Sequence, residues 1–561
     1  MSQKVTSHGF TALGPVHESL ARLRGWKAHC TAAFLGALGA FAFAPFHFSP
    51  ILVLSLTGLI WMIDGARGYS RWGQAVFARG WAFGAGYFLI SMHWTAFPFL
   101  VEPEKHALFL FMPLVLLPAG LGLIWGSAAA LAGAFWSASP SRVFVFALFF
   151  AIAEYVRGHL FGGLPWNLPG TTWSPGAAIS QAASIGGVYW LTLLTLFVMS
   201  SPAALVDTRE SRALGERLLP AVAAVVLLGS SWAWGARRVA EPTTVYSQHV
   251  TLMDAGVSQR DKWAPDGVDL VLRRYLEMLD APGQSPDDIV IWPEGAIPLY
   301  LLQSANALDA VSAFIGDRKL IVGTSRRQPI RRDEAGLDIT GAPARPDEIH
   351  YFNSLAVVDR NSARSGPIAL YDKHRLVPFG ELPAVEIIPL GRLIEGILPG
   401  ALQQMVTQGF NPGPGPAVVY ADGVPPFNAL ICYEGLYPSI PRHRLARPRA
   451  EWMVIVSNDS WFGAGMGPAQ HYAQHRYRAI ETGLPIARVA SLGDTAMIDG
   501  LGRETAHGEP ITGDPDGWTS SVVRTPLPVA RAETLYFRHG DIVFGLSLAI
   551  FSVLAFLAWR R

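Results

Sequence analysis

Three short words hold the residues whose types and spacing could do chemistry. The first is Ile289-Val290-Ile291-Trp292-Pro293-Glu294. An apolar run meets a proline, which fixes the exit of the chain and leaves one carboxylate at a strand end, where α/β proteins keep reactive groups. The second runs from Tyr371-Asp372-Lys373-His374 through Val377-Pro378-Phe379-Gly380 to Glu381, a basic stretch followed by an apolar turn and a second acid. The third is Ala429-Leu430-Ile431-Cys432-Tyr433-Glu434, an apolar strand ending in a cysteine flanked by an acid. Alone, each has an ordinary reading: a solvated glutamate, a surface lysine, a cysteine serving as a small core hydrophobe. Together they offer a base for the thiol proton, a cation for a tetrahedral oxyanion and a nucleophile, which is the equipment of acyl transfer. Residues 242–535 hold no Gly-x-Ser-x-Gly elbow as a competing nucleophile.

These groups need a scaffold. Strand-like runs occur at His249–Met253, Asp288–Trp292, Leu320–Val322, Ser354–Val358, Phe427–Cys432, Trp452–Ser457, Ile486–Ala490 and Ala496–Ile498. Helical patterns fall at about 265–280, 303–315 and 469–483. The alternation predicts an α/β layer fold. No internal repeat and no phosphate-cradling glycine loop is visible.

The composition says that this scaffold is not the whole protein. Of 561 residues, 50% are hydrophobic and 16% charged, against about 25% charged in a soluble protein. Residues 1–241 hold only 24 of the 87 charges. That asymmetry predicts a membrane part followed by a water-facing part. The net charge of +1 shows no nucleic-acid footprint. Two cysteines, Cys30 and Cys432, make neither a disulfide framework nor a cysteine-rich zinc site.

Apolar stretches recur at about 29–46, 47–63, 80–101, 106–136, 143–162, 178–206, 218–236 and 542–559. Read as spans, they predict an α-helical bundle of about eight crossings, the first two joined by a hairpin at 44–50. No cleavage site of the signal-peptide kind follows the first stretch. Loop cations orient the bundle: Lys4, Arg22, Arg24 and Lys27, then Arg67, Arg71 and Arg79, then Arg142, then Arg209, Arg212 and Arg217, then Arg560 and Arg561 fall on one side. The other side carries only Lys105 and Arg157 in its short loops. The positive-inside rule then puts both ends in the cytoplasm and residues 242–535 outside. Within the apolar part, Glu154 and Arg157 are either a functional ionisable site or, three apart on a helix, a self-neutralising pair.

The order Glu294, Lys373, Cys432 on strand-end words resembles the nitrilase superfamily. The surrounding words resemble its membrane branch, the apolipoprotein N-acyltransferases. They are WPEGAIP at 292–298, YFNSLAVVD at 351–359, HRLVPFGE at 374–381, NPGPGP at 411–416, ICYEGLYP at 431–438, SNDSWFG at 457–463 and GPAQH at 467–471. FAFAPF at 41–46 and EYVRG with GLPWN at 154–167 extend the likeness into the membrane half.

The resemblance implies a seven-span membrane domain at 29–241 after a cytoplasmic segment 1–28. A periplasmic nitrilase-like αββα sandwich would follow at 242–535, and an eighth span at 536–561. It implies a multi-pass protein of a bacterial inner membrane, a monomer with no metal or organic cofactor. The activity implied takes an acyl chain from a phospholipid, typically phosphatidylethanolamine. It passes that chain through a cysteine thioester to the N-terminal amine of a diacylated apolipoprotein. By motif position Cys432 is the nucleophile, Glu294 the base and Lys373 the oxyanion partner. Glu381, Glu434, Tyr433 and Asn353 support them, and Trp263 and Trp166 serve as substrate-binding or lid residues. Two words depart from the family pattern, Thr251-Leu252-Met253-Asp254-Ala255-Gly256 and Ser491-Leu492-Gly493-Asp494-Thr495. They are expected at the pocket rim, where acceptor preference is set. The rival expectations are a membrane-tethered amidase for a small amide, and a transporter or receptor that has lost catalysis.

Overall fold

A computed structural model describes the chain except residues 1–7, 10–12, 102, 138, 208–213, 281–284, 330–348, 379, 383–408, 443–447, 510–518 and 560–561. Lys4, Arg209, Arg212, Phe379, Arg560 and Arg561 therefore lie outside the described residues. The chain forms two compact units. One comprises Met1–Glu241, Phe462–Glu481 and Thr534–Arg561, the other Pro242–Trp461 and Thr482–Glu533.

In the first unit each of the eight apolar stretches carries a helix: Gly25–Gly39, Ile51–Ala66, Trp72–Ser91, Leu117–Ala134, Arg142–Arg157, Ala183–Ser200, Leu214–Val239 and Ile542–Trp559. Among the described residues, Ala107–Ala134, Ile179–Leu205 and Gly215–Val239 are long and apolar enough to cross a membrane, and Ile51–Ala66 and Ile542–Leu557 are shorter apolar helices. Small residues let the helices close in. A Cβ at Gly84 would lie 3.0 Å from Gly122 Cα, the close approach that small residues give membrane helix pairs.

One charge differs from its sequence reading. Arg79 is not a loop cation. It sits inside Trp72–Ser91, 2% exposed, and donates to the Met62 carbonyl, to Leu23 O at 2.7 Å and to Tyr69 Oη at 3.0 Å. Arg142 is 1% exposed and pairs with Asp64 at 3.2 Å while donating to the Ala203 and Val206 carbonyls. A buried guanidinium is tolerated because carbonyl and carboxylate oxygens replace its water. Glu154 and Arg157 pair at 2.5 Å, and the Trp125 indole donates to Glu154 at 2.7 Å. That is the self-neutralising reading.

The helix Met466–Thr482 belongs mainly to this first unit. Gln470 Oε1 accepts the indole N–H groups of Trp94 at 3.1 Å and Trp166 at 2.9 Å. Gln474 accepts Asn167 N at 3.1 Å, and Glu481 accepts Val188 N at 2.8 Å. Irregular backbone in an apolar setting needs such partners.

The second unit is built on two six-stranded sheets. Its strands are β1 Val245–Asp254, β2 Ile289–Trp292, β3 Lys319–Pro329, β4 Ile349–Val358, β5 Ala369–Asp372, β6 Val418–Ala421, β7 Val424–Ile431, β8 Trp452–Asn458, β9 Ile486–Ser491, β10 Ala496–Ile498, β11 Glu504–His507 and β12 Ser521–Pro528. One sheet runs β12-β1-β2-β3-β4-β5 and the other β11-β10-β9-β8-β7-β6. In each, three central strands are parallel and the flanking ones antiparallel. Strand alternation sorts the side chains. Ile289, Ile291, Ile321, Leu355 and Val357 join Phe427, Ile431, Val454 and Val489 in a core shared by both sheets. Val290, Trp292, Leu320, Val322 and Ala356 face the other way, onto helices Gly267–Asp280 and Ala305–Ile315.

Candidate active site

Each of the three chemical words ends a strand, and the fold brings the ends together. Glu294 lies two residues beyond β2 and is 8% exposed. Its place depends on Gly323 in β3, where a Cβ would stand 2.5 Å from Glu294 Cα and from the Pro293 carbonyl. Lys373 follows β5 directly. Its N–H donates to Asn353 O and its carbonyl accepts from Gly413 N, both at 2.8 Å, so it is sewn between β4 and the 411–416 word. Cys432 follows β7 directly and opens the 3₁₀ turn Cys432–Leu436 with φ +52°. A left-handed φ is strained for a residue with a Cβ and turns its side chain sharply out of the strand line.

The polar groups converge. Lys373, 1% exposed, lies 3.3 Å from Glu294 Oε1 and 2.8 Å from Glu381 Oε2. Asn353 Nδ2 donates to Glu294 Oε1 at 2.6 Å and to Glu381 Oε1 at 2.8 Å. Both bonds to Glu294 fall on Oε1, and Oε2 carries none among the described residues. Glu381 Oε2 also accepts Val377 N at 2.9 Å, which closes the turn after Lys373.

Burial alone would lower the Lys373 ammonium, but Glu294, Glu381 and Cys432 together outweigh it, so the group stays charged far above its ordinary range. The Cys432 thiol is pushed up, first by burial and then by Glu294, with Lys373 opposing. The resting site therefore holds a neutral thiol beside a fixed cation.

Glu434 is fully buried and faces the backbone. Its Oε1 accepts Tyr371 Oη at 2.9 Å, His374 N at 2.8 Å and Arg375 N at 3.0 Å, and its Oε2 accepts Ile431 N at 2.9 Å. It ties the strand before the cysteine to the residues after the lysine. Burial raises its carboxyl, and the three N–H donors with the Lys373 charge oppose the rise. Tyr433 is 5% exposed and packs edge-on to Tyr437. Trp263 is 68% exposed and donates its indole N–H to Gln259 at 3.1 Å. Trp166 lies in the first unit, 2% exposed, with its N–H on Gln470.

Sequence reading missed Tyr371, Lys262 and the Arg326–Asp372 pair at 2.5 Å, which Ser354 also holds. Tyr371 opens one of the three chemical words, and Lys262 directly precedes Trp263. The two departing words touch one another, since Asp254 Oδ2 accepts Leu492 N at 3.0 Å. Asp254 is buried, at 3% exposure, as the site residues are.

A profile described as carbon-nitrogen hydrolase matches residues 265–510, so fold and site define a domain of that nitrilase-type class. A second, described as apolipoprotein N-acyltransferase N-terminal domain, matches residues 35–201. Curated relatives named apolipoprotein N-acyltransferase align nearly end to end. That of Caulobacter vibrioides is 34% identical over 95% of this chain and 94% of its own. Those of Rhodopseudomonas palustris and Bradyrhizobium diazoefficiens are 32% and 34% identical, over 96% and 95% of this chain and the same shares of their own. This chain belongs to the apolipoprotein N-acyltransferase family. Among solved structures, an amidase from Nesterenkonia sp. is 14% identical at a TM-score of 0.31, covering 54% of this chain and 98% of that one.

Proposed function

We propose that the protein moves an acyl chain from a membrane phospholipid, through a thioester on Cys432, to the N-terminal amine of a diacylglyceryl-cysteine apolipoprotein. The observation that carries this is the pairing at Glu294. Asn353 and Lys373 occupy one carboxylate oxygen and leave the other open for a proton, next to a buried neutral thiol.

In the first step Cys432 Sγ attacks the ester carbonyl while its proton passes to Glu294. The oxyanion forms against the Lys373 ammonium and the N–H after the nucleophile. Collapse breaks the ester C–O bond, and the proton returns from Glu294 to the departing lysophospholipid oxygen. In the second step the apolipoprotein amine attacks the thioester and gives its proton to Glu294. Collapse breaks the C–S bond and the thiol is restored. Glu381 and Asn353 hold Lys373 and Glu294 in place, and Glu434 and Tyr433 brace the cysteine turn. Trp263, exposed to solvent, contacts lipid or covers the site, keeping water from the thioester.

The setting follows from the charge pattern. Eight spans cross the inner membrane with both ends in the cytoplasm, and residues 242–535 face the periplasm. Both substrates are membrane lipids, which accounts for a reaction domain carried by helices; a small-amide hydrolase needs no such helices.

Acyl transfer tests the proposal. Purified protein in phosphatidylethanolamine vesicles is given a diacylglyceryl-cysteine peptide. The wild type yields an N-acylated peptide and a lysophospholipid, and Cys432→Ser yields neither. Hydrolysis of the donor without peptide acylation would contradict it.

A further inference from the structure

Lys262 is a buried cation that the steps above do not use. It is 5% exposed, while Trp263 beside it is 68% exposed. Its Nζ donates to the carbonyl of Gly295, the residue after Glu294. Gly295 has φ +52°, so the chain turns there directly beyond the carboxylate. Two acids share the ammonium's field, Asp254 at the end of β1 and Glu294 beyond β2. Asp254 is held by Gly256 N at 3.1 Å and Leu492 N at 3.0 Å, and Leu492 has φ +52°. Asp459 adds a like charge near Asp254. Burial lowers Lys262 to about 8 and raises Asp254 to about 6, so both charges are held at a cost.

We propose that Lys262 is a positioning residue: its ammonium clamps the Glu294–Gly295 turn to the segment that carries Trp263, with Asp254 as its buried counter-charge. This rests on the reading of Glu294 as the base. The clamp joins the two departing words to the reaction. Asp254 holds Leu492 N and acts on the Lys262 ammonium through its charge, and Lys262 holds the turn after the base through the Gly295 carbonyl.

The test follows single-turnover acylation of Cys432 by phosphatidylethanolamine, using intact mass, in wild type, Lys262→Met, Lys262→Arg, Asp254→Asn/Lys262→Met and Glu294→Gln. A base displaced by about 1 Å costs on the order of 10²-fold. Lys262→Met is expected to acylate about that much more slowly at an unchanged half-saturating donor concentration, and Lys262→Arg to recover part of the rate. The double variant removes both buried charges, but an amide at position 254 turns its NH₂ toward one of the two N–H groups that Asp254 accepts, so it is expected to melt below the wild type and, folded, still acylate slowly. A folded single or double variant acylating at the wild-type rate overturns the clamp. So does a Lys262→Arg as slow as Lys262→Met. Glu294→Gln separates the two ideas: wild-type acylation there sinks the base assignment itself, whatever the Lys262 variants do.

Discussion

Replacing Glu434 by glutamine changes one heavy atom and should disturb the cysteine turn out of proportion to its size. The carboxylate accepts four hydrogen bonds, three on Oε1 and one on Oε2. A glutamine has one oxygen. Placed on the three-donor side, it leaves its NH₂ facing the Ile431 N–H, donor against donor. An unpaired buried amide costs about 1–3 kcal/mol, and bonds to a charged acceptor exceed neutral ones by roughly 1 kcal/mol each. Against this, burial already opposes the Glu434 charge, and a neutral amide recovers part of that penalty. The net expectation is a local destabilisation of about 2–3 kcal/mol, or roughly 10²-fold in opening. The loss falls at Ile431, the residue before Cys432. Peptide-level hydrogen exchange reads it directly. Segments 424–436 and 371–376 should lose about that much protection, with acylation of Cys432 slowed in parallel. Tyr371→Phe removes only one of the four donors and should shift the same peptides by about 1 kcal/mol or less. Glu434→Gln with wild-type protection in both segments and wild-type acylation would refute the bracing role.

Other outcomes follow from the same geometry. In a Cys30→Ser background, alkylation of Cys432 should be slow at neutral pH and accelerate as pH rises, because burial and Glu294 hold the thiol up. Glu294→Gln removes a charge that raises it, so alkylation should become faster while acylation is lost. Lys373→Met removes the cation that lowers it, so alkylation should become slower still. Equal alkylation rates in the three proteins across pH 7–10 would contradict this ordering. Gly323→Ala puts a methyl 2.5 Å from the Glu294 backbone, and neither strand can yield cheaply. It should cut acylation by about 10²-fold, while a rate within a few-fold of wild type would show that the strand ends do not fix Glu294. Gln470→Leu strips the acceptor from two buried indoles. Trp94 keeps the Ser91 carbonyl at 3.2 Å, so the loss falls on the Trp166 N–H and should destabilise the first unit by about 1–3 kcal/mol, seen as a lower melting temperature in detergent.

The interior of the second unit was legible because its strands are buried on both faces. β1, β2, β3, β4, β7, β8, β9 and β10 each overlap one of the apolar runs read from sequence, and the first and third chemical words were read as strand ends and are. The strands not foreseen are β5, β6, β11 and β12, and these are the four sheet edges. An edge strand is half exposed, so its residues mix: Glu504–His507 has no buried position at all. The partners inside the site were hidden for another reason. Tyr371 and Lys262 act through contacts with residues 63 and 33 positions away, and no local pattern marks such a bond. In the first unit the apolar stretches located the helices. Arg79 differs from its reading as a loop cation because carbonyls and a tyrosine from distant turns absorb its charge. The third helix begins at Trp72 rather than near 80 for the same reason, since Arg79 fits inside it.

The central claim is a covalent acyl group on Cys432. Its most direct measurement is intact mass spectrometry of the purified protein after phosphatidylethanolamine, followed by a chase with a diacylglyceryl-cysteine peptide. The account predicts one acyl adduct that maps to Cys432, is released by hydroxylamine and moves to the peptide amine. A folded wild-type protein that forms no adduct with any phospholipid, or one whose adduct is lost only to water in the presence of the peptide, would contradict it.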